Sequence, residues 1–255
     1  MGLTKLIVKN VMKAPKIGDF ERFLFIGPHP DDIEIGAGAT AASLAAAGKQ
    51  VVFLIVTDGR YGTDNCRDLT GDALAKRRQE EAAASAKVLG VTDVRFGGLT
   101  DGGFYTQGEL LEVIAKVIAD VKPQVLFAPD PNVTSEGHPD HLNVGNAVRA
   151  LAVLSGNPGI METHGAQESP VAAVAYYMTA KPNRFHKTTG FLDRQLSAVF
   201  GCHLSQYPEG CAAADQLKLY LKLRAHEYGL RYLGTAEGFR VLATGAMHCV
   251  PETEY

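Results

Sequence analysis

The sequence predicts an α/β fold, Rossmann-like and doubly wound, with a mostly parallel sheet and helices on both faces. Residues 23–26 and 51–56 are continuous apolar runs with the β-branched and aromatic content of strands buried on both sides. Between them an alanine-dense stretch, 37–47, predicts a helix that packs closely on a sheet, and Gly48 supplies its stop. Strand and helix patterns then keep alternating, which disfavours a sandwich or a bundle.

The later elements follow in order. Residues 73–89 predict a helix, charged early and apolar late, closed by Gly90, and 91–96 a short strand. Residues 109–121 place Leu110, Leu111, Ile114, Val117 and Ile118 on one helical stripe, and a strand over 124–128 follows Pro123. A helix over 142–154 and a strand over 171–177 continue the series. The last third is less regular, with helices over 191–200 and 212–228 and an apolar run at 239–243. A single domain over 1–255 is expected, with 1–20 as a lead-in arm and 180–255 as an extension of the same core. Right-handed crossovers place the strand-to-helix loops on one edge, where ligands bind. Loops 59–72, 129–138 and 156–170 are long enough to wall such a site.

Composition narrows the function. A net charge of −3, from 25 Lys+Arg and 28 Asp+Glu, leaves no electrostatic footprint for nucleic acid or an anionic membrane. No apolar run approaches the roughly 20 residues of a membrane span. Lys5, Lys9, Lys13 and Lys16 precede the first acid, but the segment lacks the arginine, serine and apolar core of a targeting peptide. Cys66, Cys202, Cys211 and Cys249 form no CxxC pair, which predicts a reducing compartment, the cytoplasm.

The tripeptide His-Pro-Asp occurs twice, at His29-Pro30-Asp31 after the first strand and His138-Pro139-Asp140 after the fourth. Both copies stand where such a fold gathers functional groups. Hydrolytic zinc takes three protein ligands and keeps a position for water, and His29, Asp32 and His141 are the candidates. Asp31 projects differently from Asp32 and becomes the general base toward a metal-activated water. His138, oriented and kept cationic by Asp140, is expected to stabilise the oxyanion or protonate the leaving amine. Fe2+, Mn2+ or Co2+ suits the same donors as Zn2+. The bland alternatives are an N-cap role for Asp31 or Asp32 and turn-forming prolines.

Pro28-His29-Pro30-Asp31-Asp32 with the later His138-Pro139-Asp140-His141 resembles the signature of the LmbE-like (PIG-L) zinc-dependent de-N-acetylases. Thr57-Asp58-Gly59-Arg60, Arg78 with Glu81, Asp101-Gly102, His203-Leu204-Ser205-Gln206 and Ala236-Glu237-Gly238-Phe239-Arg240 extend the likeness over residues 23–242. The resemblance implies removal of acetyl from N-acetylglucosamine-type sugars or glycoconjugates by a zinc-held water. It implies zinc on His29, Asp32 and His141, Asp31 as base, and His138 at the oxyanion paired with Asp140. It also implies a homo-oligomer, trimer or hexamer. Arg60 departs from the family, where many relatives carry glutamate. The pattern is nearer the diacetylchitobiose deacetylase branch than the bacillithiol branch.

Lesser signals complete the reading. Arg60 and Tyr61 offer a charged hand and a stacking ring to a sugar, Asp101 a substrate contact or a turn, and His248 a substrate contact reached within an oligomer. Arg78 and Glu81 predict an intrahelical ion pair. His203 reads as a buried structural histidine, and His164, His186 and His226 as solvated. Two other functions compete. Gly36-Ala37-Gly38-Ala39-Thr40-Ala41 matches GxGxxA with Asp58 about 20 residues on, as in a dinucleotide-binding protein, but residues 29–35 separate it from the strand. A two-His-one-carboxylate iron site is the other, on a fold that rarely hosts one.

Overall fold

The computed structural model describes residue 8, residues 12–63 and residues 68–250. β1 (Arg22–Gly27), β2 (Gln50–Thr57), β3 (Asp93–Leu99), β4 (Val125–Pro129) and β5 (Ala173–Tyr177) form the parallel part of one sheet, in the order β3-β2-β1-β4-β5. The order reverses between β1 and β4. There Phe23, Leu24 and Phe25 pair with Val125, Leu126 and Phe127, and Phe25 stacks on Phe127 with ring centroids 4.0 Å apart. Each ring buried this way contributes roughly 1.5–3 kcal/mol.

Alternate strand residues feed two cores. Phe23, Phe25, Phe53 and Phe127 face α1 (Asp32–Ala46), α2 (Gly71–Leu89) and α6 (Leu192–Cys202). Leu24, Ile26, Leu54 and Leu126 face α3 (Gln107–Val121) and α4 (Pro139–Leu154). Thr106 and Glu109 form a capping box that starts α3 at Gln107, two residues ahead of the predicted start at 109. Among the described residues no helix is long and apolar enough to cross a membrane.

Two short elements escape the sequence reading. α5 (Pro158–Thr163) lies inside the predicted loop 156–170, where Asn157 caps it through the Ile160 N–H at 3.1 Å. β6 (Arg184–Lys187) is a polar edge strand without a hydrophobic signature. β7 (Ala236–Ala243) starts earlier than the apolar run and inserts between β5 and β6, antiparallel to both. The C-terminal third thus joins the same sheet, and α7 (Ala212–Gly229) packs on α6 through Leu221 and Ala225. His186, read as solvated, sits half-buried on β6 with Nε2 3.3 Å from Ser43 Oγ, and burial pushes its pKa down to about 4. Cys202, Cys211 and Cys249 are free thiols; Cys66 lies outside the described residues.

Gly36 and Gly38 fall inside α1, not in a loop that follows β1. A Cβ on Gly36 would stand 2.2 Å from Tyr177 Cδ2, and Tyr177 is fully buried with its hydroxyl donating to Ile26 O at 2.8 Å. The glycines therefore serve packing, and the dinucleotide reading loses its phosphate loop. Gly36→Ala is expected to destabilise the protein by about 1–3 kcal/mol through overpacking, measured by urea unfolding.

Candidate active site

The segments leaving β1 and β4 converge at the reversal of strand order. Both helices begin earlier than their apolar spacing predicts, so both His-Pro-Asp motifs sit at helix starts. α1 begins at Asp32. α4 begins at Pro139, a residue tolerated in a first turn, and His138 caps it by accepting the Asp140 N–H at Nδ1 over 3.3 Å.

Asp32 joins the two motifs. Its Oδ2 accepts the His29 backbone N–H at 2.8 Å and faces His29 Nδ1 at 3.1 Å, while Oδ1 faces His141 Nε2 at 3.2 Å. His29 Nε2 meets Asp140 Oδ2 at 2.9 Å, and His141 Nδ1 meets Glu136 Oε2 at 2.9 Å. One ligating nitrogen from each of His29, His138 and His141 lies within 4.8 Å of the others. The side chains of His29, Asp32 and His141 are 10%, 8% and 14% exposed, against 45% for His138.

The electrostatics suit a divalent cation. Asp31, Asp32, Asp140 and Glu136 crowd carboxylates around the rings. Burial alone would lower the pKa of His29, but hydrogen bonds to Asp140 and Asp32 push it up to about 10. Burial likewise opposes the charge on His141, and Asp32 outweighs it, raising the pKa to about 9. Asp32, disfavoured by burial, is held well below the usual carboxylate range by His141 and His29. A nest that draws protons so strongly onto buried imidazoles is one where a metal ion can replace them.

Asp31 is the strained residue of the site. Its φ of 134° lies where non-glycine residues seldom go, a conformation that costs on the order of 1–3 kcal/mol and is held by its surroundings. Tyr207 donates to its Oδ2 at 3.2 Å, and Arg78 Nη2 stands 3.4 Å from Oδ1. Burial raises the Asp31 pKa, the Arg78 charge opposes this, and Asp32 adds to it. The side chain has no capping hydrogen bond, so the N-cap reading does not describe it.

Two predicted pairings are replaced. Arg78 does not pair with Glu81: it donates to Pro30 O at 2.9 Å and Gly59 O at 3.1 Å, bracing the loop under Asp31. Glu81 takes Arg77 Nε at 2.9 Å and Ser205, through N at 3.0 Å and Oγ at 2.6 Å. Both Arg78 and Glu81 are buried: Arg78 turns to tertiary partners, while Glu81 keeps an intrahelical pair, with Arg77 rather than Arg78, and adds Ser205 from a distant segment. Asp140, expected to orient His138, instead lies 3.8 Å from His138 Nδ1 and is claimed by His29, the Gly102 and Gly103 amides at 2.7 and 2.8 Å, and Tyr105 OH at 2.8 Å. His138 is accordingly not held cationic. Burial lowers its pKa, with His29 and His141 adding to the effect, and acceptance at Nδ1 leaves its proton on Nε2.

The PIG-L model, described as GlcNAc-PI de-N-acetylase, matches residues 24–152. A diacetylchitobiose deacetylase of Thermococcus kodakarensis is 34% identical over 240 residues, 91% of this chain and 87% of the relative. The chain belongs to the PIG-L family. Another relative, a 1D-myo-inositol 2-acetamido-2-deoxy-alpha-D-glucopyranoside deacetylase of Thermobispora bispora, is 33% identical over 80% of this chain and 74% of its own length. The solved structure of N,N'-diacetylchitobiose deacetylase from Pyrococcus horikoshii matches with a TM-score of 0.85 over 96% of this chain and 93% of that chain, at 29% identity.

Around this PIG-L centre the remaining candidates divide. Arg60 is not a free hand: its Nε and Nη2 bond Asp58 Oδ2 at 2.7 and 2.6 Å, and Nη1 reaches Asp72 at 3.1 Å. That pairing also occupies Asp58, the acid a bound ribose would need. Asp101 accepts the Tyr61 N–H at 3.1 Å and so shapes the loop, while the Tyr61 ring, 57% exposed, meets Phe104 edge-on at 5.7 Å. His248 is exposed, with Cys249 Sγ 3.2 Å from its Nδ1, and has no described contact with the cluster. His203 is fully buried, its Nε2 3.2 Å from Glu34 Oε1, in the structural place expected.

Sequence reasoning missed Glu136, Tyr105 and Tyr207. Glu136 had a legible signal, standing just before His138 and His141, since ligand imidazoles are commonly oriented by a nearby carboxylate. The tyrosines come from distant segments and had none. A cavity of about 600 Å³ elsewhere is lined by Lys16, Arg184, His186, Lys187, Arg231 and others; no motif residue lines it.

The balance around Asp140 has a pH signature. Burial opposes its charge, but bonds from His29, Gly102 and Tyr105 lower its pKa to about 2, from an ordinary 3.8. The stabilisation is present above pH 3.8 and disappears as pH falls toward 2. In metal-free protein, Asp140→Asn is expected to be less stable than wild type at neutral pH, with the gap closing over that acid range in urea titrations.

Proposed function

We propose that the protein is a metal-dependent de-N-acetylase that hydrolyses the N-acetyl group of an N-acetylglucosamine-type sugar or glycoconjugate. The observation that carries the reading is Asp31, a buried carboxylate in strained backbone beside His29, Asp32 and His141 at the switch point of the sheet. His29, Asp32 and His141 would hold the metal, because their side chains are the buried donors, whereas His138 stands at the open side. Zinc is the resident ion we assign, on the ground of its preference for imidazole and carboxylate. When bound, such an ion polarises an amide carbonyl and makes water a stronger acid.

The chain's own groups do the rest. Asp31, its pKa raised by burial, accepts a proton from the attacking water, and Tyr207 and Arg78 keep its carboxylate in place. Acceptance at Nδ1 leaves His138 an Nε2–H donor, which would stabilise the oxyanion that develops on the former carbonyl. The proton collected by Asp31 passes to the amide nitrogen as the C–N bond breaks, releasing acetate and an amine. Tyr61 and Phe104, exposed beside the turn whose Gly102 amide binds Asp140, would offer aromatic faces to a sugar ring. The exposed rings and the Asp58-bound Arg60 favour a neutral sugar over an anionic one. Assembly as a trimer or hexamer, implied by the family likeness, would be the means for His248 to reach a site. A cytoplasmic location accords with the free thiols of Cys202, Cys211 and Cys249.

The test is acetate release from N-acetylglucosamine and diacetylchitobiose. Asp31→Asn is expected to keep its metal while kcat falls about 10²–10⁴-fold, and His29→Ala or His141→Ala to lose the metal. Near-full turnover by Asp31→Asn at saturating metal would refute the assignment. Chelation should abolish activity, and reloading with Zn2+, Fe2+, Mn2+ or Co2+ ranks the ions.

A further inference from the structure

α1 is two helical pieces joined at a break. Ala37 has φ −152° and ψ 16°, outside helical space. Carbonyls before a break and amides after it lose the partners that a continuous helix supplies. Two side chains from distant elements take up these groups. Gln195 on α6 donates through Nε2 to Glu34 O at 2.8 Å and Ile35 O at 3.3 Å. Glu237 on β7 accepts the Ala39 N–H at 3.3 Å and the Thr40 N–H at 2.7 Å. The two are themselves joined, Gln195 Nε2 to Glu237 Oε1, at 2.8 Å. Gln195 is 2% exposed and Glu237 8%, so this is an internal clip and not a surface contact.

The short piece ahead of the break carries the chemistry. It begins at Asp32, directly follows the strained Asp31, and presses Gly36 onto Tyr177 so closely that no Cβ fits. We propose that Gln195 and Glu237 are positioning residues that hold α1 broken, so that its first turn aims Asp31 and Asp32 into the imidazole cluster. The inference rests on the deacetylase reading for the reaction it serves, but the metal-site geometry it explains stands apart from any substrate. Neither residue touches the candidate metal ligands; each acts through the backbone of α1.

Gln195→Glu tests this with an isosteric change. The groups facing the new carboxyl are Glu237 from β7 and the Glu34 and Ile35 carbonyls from α1, with Arg224 and Tyr228 from α7 beside Glu237. Ionised, it sets a carboxylate against acceptors; protonated, it restores a donor in place. At saturating metal and a pH of about 8, kcat should fall about tenfold or more with KM nearly unchanged. The variant-to-wild-type ratio of kcat should climb as pH is lowered, whereas Gln195→Leu should stay low throughout.

A second readout needs no substrate. Because Asp32 rides on the same piece, Gln195→Leu should weaken metal binding about tenfold in competition with a chromophoric chelator. Wild-type metal affinity together with wild-type kcat per metal-loaded molecule in both variants would overturn the proposal. So would a loss in Gln195→Glu that does not respond to pH, or one seen only as a lower melting temperature. Failure of the deacetylase reading would show separately, as no acetate release from wild-type protein while the metal-affinity loss persists.

Discussion

Asp32 lies between two imidazoles, and the surrounding structure is organised by what a buried carboxylate requires. A buried charge is tolerated only when paired and hydrogen-bonded on every side. His29 and His141 supply the pairs, and each then needs its own acceptor, which Asp140 and Glu136 provide. Asp140 in turn is satisfied by the Gly102 and Gly103 amides and by Tyr105, so the turn after β3 is tied to the motifs after β1 and β4. Three strand ends are thereby locked around one charge-balanced centre.

The strain at Asp31 is the counterpart of that balance. Placing Asp31 and Asp32 in sequence but aiming them differently demands an unusual backbone, and φ 134° is the result. The strain persists because the neighbourhood over-determines it. Arg78 braces the Pro30 and Gly59 carbonyls, Tyr207 and Arg78 hold the carboxylate, and Glu34 is anchored by Ser85 at 2.6 Å and by His203. Residues scattered from 78 to 237 thus converge on one short helical piece.

The contrast between His138 and its neighbours sets the division of chemistry. His29 and His141 are enclosed by carboxylates that raise their pKa against the effect of burial; for half-exposed His138, burial and the two neighbouring rings lower it. Neutral imidazole with its proton on Nε2 is a hydrogen-bond donor that needs no compensating anion. The exchange of Asp140 from His138 to His29 therefore changes the expected role from cationic acid to neutral donor.

The β-α alternation, and with it the parallel sheet and the edge that holds the site, was legible because strands buried on both faces and helices with apolar stripes leave periodic patterns. The doubled His-Pro-Asp motif was legible because ligand chemistry restricts which residues can stand together. Helix starts at Asp32 and Pro139 were not, since both precede the apolar spacing and depend on local caps and turns. Nor was β6, which is paired by β7 rather than by its own hydrophobicity. Pairwise choices among polar side chains belonged to the tertiary structure alone: Arg60 with Asp58, Arg78 with Asp31, Asp140 with His29, Glu237 with the amides of a broken helix. Sequence by itself determined which groups were present and on which edge they gather. Only the folded chain decided which of them meet, because a hydrogen bond is set by angstroms between segments that lie far apart along the chain.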